Sequence, residues 1–192
     1  LKRHGLTHDQ KVILTVCRLG GESPLYKGYE HIIRLLPQLK AHWPDIQYVL
    51  VGKGKGLQRL QKLVVDLDLQ DNVILPGFVS DQDLPAYYNL CDVFAMPSTG
   101  EGFGIVYLEA LSSGKAVLAG NQDGAIDPLL NGQLGCLVNP HDREAIAKEL
   151  CTLLQGTYPN DRIYQPEYLR AQALAQFSIE QFRTQLPHIL QQ

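Results

Sequence analysis

Two glutamates, Glu101 and Glu109, stand eight residues apart in the stretch PSTGEGFGIVYLEALSSGK, Pro97 to Lys115. The first lies in a glycine-rich loop after the apolar run Asp92 to Met96, the second inside a helix-forming segment that follows Gly104. A carboxylate can act as acid, base, nucleophile or hydroxyl acceptor. If both were helical, eight residues at about 1.5 Å each would set them about 12 Å apart, beyond the roughly 5 to 9.5 Å of paired glycosidase carboxylates. Two-carboxylate hydrolysis is therefore disfavoured. At the helix entrance Phe103, Gly104 and Ile105 should leave backbone amides free to bind an anion. On the bland reading Glu101 only complements the helix dipole, which is worth about 0.3 to 1 kcal/mol. Glu109 is flanked nearly all round by Ile105, Val106, Leu108, Ala110 and Leu111, so its charged carboxylate needs donors. The vicinal hydroxyls of a ribose would supply them.

Two further loops carry polar groups. CRLGGESPLYKGYE, Cys17 to Glu30, brings Arg18, a Gly20-Gly21 pair and then Lys27 to a helix start at Gly28. Arg18 suits bidentate contact with a phosphate, and Lys27 adds a compact charge at a helix end that already favours anions. VGKGKG, Val51 to Gly56, follows YVL and invites a dinucleotide-binding reading, but its spacing is GxGxG and no ribose-binding acid ends the next strand. Gly52 is instead expected to bring backbone close to a ligand.

These loops need a scaffold. Short apolar runs recur at Lys11 to Cys17, Ile46 to Val51, Asn72 to Leu75, Asp92 to Met96 and Ala116 to Ala119, with a weaker one at Gly135 to Val138. Between them, helical periodicity covers Gly28 to Leu39, Leu57 to Leu67, Asp81 to Leu90 and Gly104 to Leu111. Strands apolar on both faces and joined by helices predict an α/β fold: a doubly wound parallel sheet of about six strands, helices on both faces, ligands at the strands' carboxyl ends. After Pro140, Asp142 to Leu154 predicts a helix. Ile163 to Leu190 predicts more helix, broken at Phe177-Ser178 and at Pro187, with Ser178 and Gln181 forming a capping box. Residues 1–10 read as a linker; His4 and His8 have a metal-like spacing, but Gly5 and Thr7 argue against a helix there.

Composition narrows the function classes. The 192 residues carry a net charge of −3 with no basic run, which excludes a phosphate-backbone binder. Four separated cysteines without a CxxC pair predict reduced thiols, three of them buried, in a cytoplasmic protein with no metal site. No apolar run reaches the roughly 18 residues of a spanning helix. Met96 is the only methionine, so a preceding domain is expected outside the chain, and membrane contact would fall to that part.

The ordered series Arg18-Leu-Gly-Gly with Lys27-Gly28, Val51-Gly-Lys-Gly54, Asn72-Val to Pro76-Gly-Phe-Val79, Asp92 to Ser98, Glu101-Gly-Phe-Gly104 with Glu109-Ala110, and Gly114-Lys-Ala-Val117 resembles a known family. It is similar to the donor-binding C-terminal domain of retaining glycosyltransferases of family 4, which have the GT-B fold. The resemblance implies that residues 11–192 are one nucleotide-sugar donor domain, a Rossmann-like half of that fold. It also implies transfer of a hexose from a UDP-sugar such as UDP-glucose to a glycan or lipid-linked acceptor held by the missing N-terminal domain, with no metal and no cofactor. Arg18 and Lys27 would neutralise the leaving diphosphate and Glu101 would hold the transferred sugar, these three forming the catalytic set. Glu109 would bind the ribose, and Phe103, Gly104 and Ile105 would offer amides. The main chain of Val79 would read the base, and Gly52 would lie near the phosphates. A nucleotide-sugar-binding module without turnover and, less favoured, an NAD-dependent oxidoreductase are the alternatives. Two positions depart from the family pattern: Asp127 stands where a glutamate is common, and Lys115 where a small residue or proline is. Asp66, Asp68, Asp81 and Asp83 read as solvated.

Overall fold

The computed structural model describes residues 5–7, 9–20 and 26–189. Six strands form one all-parallel sheet: β1 (Val12–Val16), β2 (Gln47–Val51), β3 (Val73–Gly77), β4 (Val93–Met96), β5 (Ala116–Gly120) and β6 (Cys136–Val138). Their spatial order is β3-β2-β1-β4-β5-β6. The connections are α1 (Tyr29–Leu39), α2 (Leu57–Asp66), α3 (Leu84–Leu90), α4 (Ile105–Ser112) and, before β6, a short 3-10 turn at Gly124–Ile126. After the sheet come α5 (Arg143–Gln155), α6 (Pro166–Phe177) and α7 (Ile179–Ile189).

Strand periodicity explains both core layers. Ile13, Tyr48, Leu50, Val93, Ala95 and Leu118 face one layer under α1, α2 and α5. Their sequence neighbours Leu14, Val49, Val51, Phe94, Met96 and Val117 face the other, under α3, α4 and α6. A strand whose every residue is buried can serve only an interior sheet covered on both sides. β1 and β4 lie side by side, with Ile13 opposite Val93 and Leu14 opposite Phe94, yet the chain leaves them toward opposite edges of the sheet. That divergence opens a crevice at their carboxyl ends, the place where open α/β sheets bind ligands. Arg18 and Lys27 follow β1, and Glu101 follows β4.

Several expectations shift. α3 starts at Leu84 instead of Asp81, because Ser80 and Asp83 close a turn first: the Ser80 hydroxyl donates to Asp83 Oδ2 at 3.0 Å and the Leu84 amide to the Ser80 carbonyl at 2.9 Å. α7 continues through Pro187 to Ile189, since a proline so near a helix end forfeits one bond without ending the last turn. The break before it holds: Ser178 Oγ accepts from the Gln181 amide at 3.3 Å. Asp142 caps α5 by accepting from the Ala145 amide at 2.9 Å. Leu6, inside the expected linker, is buried against the second core layer. His4 and His8 lie outside the described residues. All four cysteines are free, but only Cys91 and Cys136 are buried, while Cys17 and Cys151 are half-buried at the edges of the core. Among the described residues no helix is long and apolar enough to cross a membrane.

Candidate functional site

At the crevice between β1 and β4 lies a cavity of about 560 Å³ whose lining includes Arg18, Lys27, Glu101, Phe103, Gly104 and Ile105. Six of the nine sequence-selected residues thus meet in one place. Gly28 makes the approach of α1 work. It holds φ +73°, and a Cβ there would sit 2.3 Å from the Pro97 carbonyl oxygen, so only glycine lets this helix start touch the end of β4. The Lys27 ammonium pairs with the Glu101 carboxylate, both side chains less than one-fifth exposed, and rests 4.6 Å from the centroid of the Tyr26 ring. The Tyr26 hydroxyl donates to the Gly100 carbonyl, and the Thr99 amide donates to the Tyr26 carbonyl at 2.9 Å. The two loops are therefore stitched together by main-chain and side-chain bonds around one cation and one carboxylate. Arg18 is exposed at the rim. α4 begins at Ile105 after Gly104, whose φ of +87° turns the chain into the helix, and its first residues, Ile105 and Val106, line the cavity. Glu101 is in the loop, so the helical ruler does not measure its distance to Glu109. Cys17 also lines the cavity; burial pushes its thiol up to about 12, the Lys27 charge lowering it and Glu101 raising it by less.

One residue of this site escaped sequence reasoning. The Asp123 carboxylate accepts from the Ser98 hydroxyl at 2.7 Å and the Glu101 amide at 2.7 Å through Oδ2, and from the Ala125 amide at 3.0 Å through Oδ1. The next residue completes the grip, the Gly124 amide donating to the Glu101 carbonyl at 2.8 Å. A Cβ on Gly124 would lie 2.1 Å from the Gly102 carbonyl, so a glycine is required for this approach. The Asp-Gly dipeptide after β5 marks a turn by its chemistry, but nothing local says that the turn clamps a loop 22 residues earlier. Asp127, the departure from the family pattern, is exposed next to this turn.

The β2–α2 glycines pack against the Arg18 loop. A Cβ on Gly52 would come 1.9 Å from the Cys17 carbonyl oxygen, and one on Gly54 the same distance from that of Leu19. The Leu19 amide donates to the Lys53 carbonyl at 3.1 Å and the Gly56 amide to Leu19 at 3.3 Å. Gly52 and Gly54 thus let this loop lie against the Arg18 loop; Gly52 does not line the cavity. Val79 is half-buried against the second core layer, and beside it Phe78 is exposed with the Lys53 ammonium 4.6 Å from its ring centroid.

Glu109 also stands outside the main cavity. It lines a second one of about 290 Å³ between α3 and α4, with Asp81, Leu84, Pro85 and Tyr88. Val106, which lines the first cavity, and Glu109 are three positions apart on α4, neighbours on one helix face separated by about 4.5 Å of rise. The two cavities share α4, with Val106 on the wall of one and Glu109 on the wall of the other. Glu109 is half-buried and accepts from the Tyr88 hydroxyl at 2.5 Å, which supplies the donor that its apolar surroundings demand. Burial first, then this bond, pushes the Tyr88 phenol far up. Among the described residues no group of three His, Cys, Asp or Glu side chains gathers in metal-binding geometry.

A family model described as glycosyl transferases group 1 matches residues 1–170. A curated relative from Mycolicibacterium smegmatis, named a GDP-mannose-dependent alpha-(1-6)-phosphatidylinositol monomannoside mannosyltransferase, is 36% identical over 160 residues, covering 80% of this chain and 41% of the relative. A Corynebacterium glutamicum protein, named a GDP-mannose-dependent monoacylated alpha-(1-6)-phosphatidylinositol monomannoside mannosyltransferase, is 32% identical over 99% of this chain and 49% of its own length. Among solved structures, Anabaena HepE in complex with UDP superposes with a TM-score of 0.80 at 28% identity, covering 95% of this chain and 49% of that one. The chain spans less than half the length of each of these proteins. With a six-stranded Rossmann-like sheet and a family match over most of its length, the chain belongs to the group 1 glycosyltransferases.

Proposed function

We propose that this chain is the donor-binding half of a retaining hexosyltransferase and that its donor is GDP-mannose. The observation that carries the reading is the Lys27–Glu101 pair at the cavity where β1 and β4 part, directly before the free amides of α4. A diphosphate placed there would meet Lys27, Arg18 and a helix N-terminus, three sources of positive potential that grow in value as the leaving group gains charge. Glu101 would then release Lys27 to the phosphates and accept hydroxyls of the transferred sugar. In the retaining, same-face reaction that the family resemblance implies, the departing phosphate takes the acceptor's proton, so no protein base is needed. Glu109, one turn along α4, would accept from the ribose, and the Val79 main chain would read the base.

Mannose and guanine replace the UDP-glucose expected from sequence because two relatives above 30% identity are named for GDP-mannose, while the UDP-bound structure stands at 28%. The acceptor, a glycan or a lipid-linked sugar, would bind outside this chain, at the cytoplasmic side of a membrane in the lipid case. Isothermal titration of the chain with GDP, UDP and ADP tests the reading. GDP is expected to bind tightest, and absence of millimolar binding by all three removes the donor-site assignment. A binding module without turnover is separated by Glu101→Ala in the full-length protein, which should abolish mannosyl transfer while GDP still binds.

A further inference from the structure

Tyr88 has no role in the reaction as described so far, yet its hydroxyl is aimed at Glu109 from a rigid mount. The ring is 2% exposed and packs against Phe94 with centroids 5.8 Å apart, so its position is set by the core beneath α3. The hydroxyl ends 2.5 Å from Glu109 Oε2. An ionised carboxylate is an acceptor only, so Tyr88 must be the donor in this contact. A glutamate without such a partner would have three free torsions to order when a ligand arrives, a cost that lowers affinity.

We propose that Tyr88 is a specificity-determining positioning residue: by holding one oxygen of Glu109 it turns the other toward a vicinal diol and makes the site demand a ribonucleotide. The inference rests on the reading of Glu109 as the ribose acceptor. The second cavity, with Tyr88 and Glu109 on its wall, has the volume for a pentose, about 290 Å³, and adjoins the first by one turn of α4. Loss of the phenol leaves the carboxylate charge in place but lets it turn away, so the effect falls on discrimination at the sugar and not on the phosphates.

The test is calorimetric titration of the chain with GDP and with 2′-deoxy-GDP, in the wild type, Tyr88→Phe, Glu109→Gln and the double variant. The wild type should prefer GDP by about tenfold or more, the value of a hydroxyl donating to a charged group. Tyr88→Phe should weaken GDP by about two- to tenfold and leave 2′-deoxy-GDP nearly unchanged, which lowers the ratio toward one. Because Tyr88 acts through Glu109, the double variant should show the ratio of Glu109→Gln alone. Phenylalanine keeps the ring that packs on Phe94, so the melting midpoint should move by less than about 4 °C. A Tyr88→Phe protein that discriminates like the wild type, while Glu109→Gln does not, overturns the role of Tyr88 and leaves the ribose reading standing. A wild-type ratio near one, or a ratio that Glu109→Gln leaves alone, overturns the ribose reading and the Tyr88 proposal together.

Discussion

Replacement of Asp123 by alanine should cost both stability and transfer, and the contacts give the size of each. The carboxylate accepts three hydrogen bonds, from Ser98, Glu101 and Ala125. A bond to a charged group is worth about 1.5 to 3 kcal/mol net, and bonds sharing one carboxylate do not add fully. Ser98 is 0% exposed, so its hydroxyl keeps only the Tyr107 contact at 3.1 Å once the aspartate is gone. The loss is therefore about 2 to 4 kcal/mol, a large part of the 5 to 15 kcal/mol that holds a domain folded. For a chain of this length that is a fall in melting midpoint of roughly 5 to 12 °C. Asp123→Asn is the informative companion. Its one oxygen can replace Oδ2 toward Ser98 and Glu101, but the amide nitrogen then faces the Ala125 N–H, donor against donor, and the cost should be about half that of alanine. The functional effect follows from what the clamp holds. With the Glu101 amide freed, the main chain of that residue keeps the Gly124 bond to its carbonyl but loses the clamp, and a drift of about 1 Å there would lower catalytic rate by about 100-fold. Urea unfolding of the chain gives the first number. Turnover of the full-length protein at saturating GDP-mannose gives the second, with the donor KM little changed because Arg18 and Lys27 remain. A stability loss below about 0.5 kcal/mol together with unaltered turnover would refute the clamp, since that is the range of an inconsequential surface change.

Three other outcomes are expected. His31 is held below its ordinary value of 6.5 by burial, then by Arg143, His141 and Arg34, and its Nδ1 has no partner. The folded state thus binds this proton less readily than the unfolded one, so the stability His31 contributes is present above pH 6.5 and is lost as pH falls below it. His31→Gln should flatten that slope in urea titrations at pH 7.5 and 5.5, and an unchanged slope would assign it elsewhere. Gly54→Ala must place a methyl where the Leu19 carbonyl lies, at φ +156°, so it should destabilise by at least about 2 kcal/mol and weaken GDP by displacing the Arg18 loop. A variant of normal stability would mean that the two loops are not packed as described. GDP affinity should survive excess EDTA, because two side-chain cations and the amides of α4 carry the charge; a tenfold loss, about 1.4 kcal/mol, would show that a metal shares it.

The layers were legible because interior parallel strands bury both faces: Leu14 and Ile13, or Phe94 and Val93, are apolar neighbours that serve opposite cores. The elements that shifted did so for local reasons. Ser80 and Asp83 satisfy each other before α3 can begin, and Pro187 falls too late in α7 to stop it. Among the residues that line the main cavity, Arg18, Lys27 and Glu101 stand in the sequence as charged groups in glycine-rich loops after strands. Asp123 did not, because its meaning depends on β5 lying beside β4, a long-range fact that no spacing along the chain encodes. The packing partner of the Gly52–Gly54 turn was hidden for a related cause. A glycine reports that something comes close, and here the neighbouring loop's backbone does so at both positions.

The spacing of the two glutamates finds its reason in the position of α4. The helix N-terminus, an end that favours anions, lies between them: Glu101 before it on the clamped loop, Glu109 one turn past Ile105. In the proposed pose the diphosphate occupies that terminus, and both flanking groups of the donor, the hexose on one side and the ribose on the other, carry hydroxyls and no charge. Carboxylates suit those hydroxyls as acceptors and would repel the phosphates if placed any closer. The two arms are held differently. Glu101 is fixed through its backbone by Asp123 and Gly124, which in the proposed pose would leave its side chain free to exchange Lys27 for the sugar; Glu109 is fixed through its side chain by Tyr88, which would suit a group that only binds. In the proposed reaction the carboxylate that changes partners is the one tethered at the main chain, and the one that does not is tethered at its head.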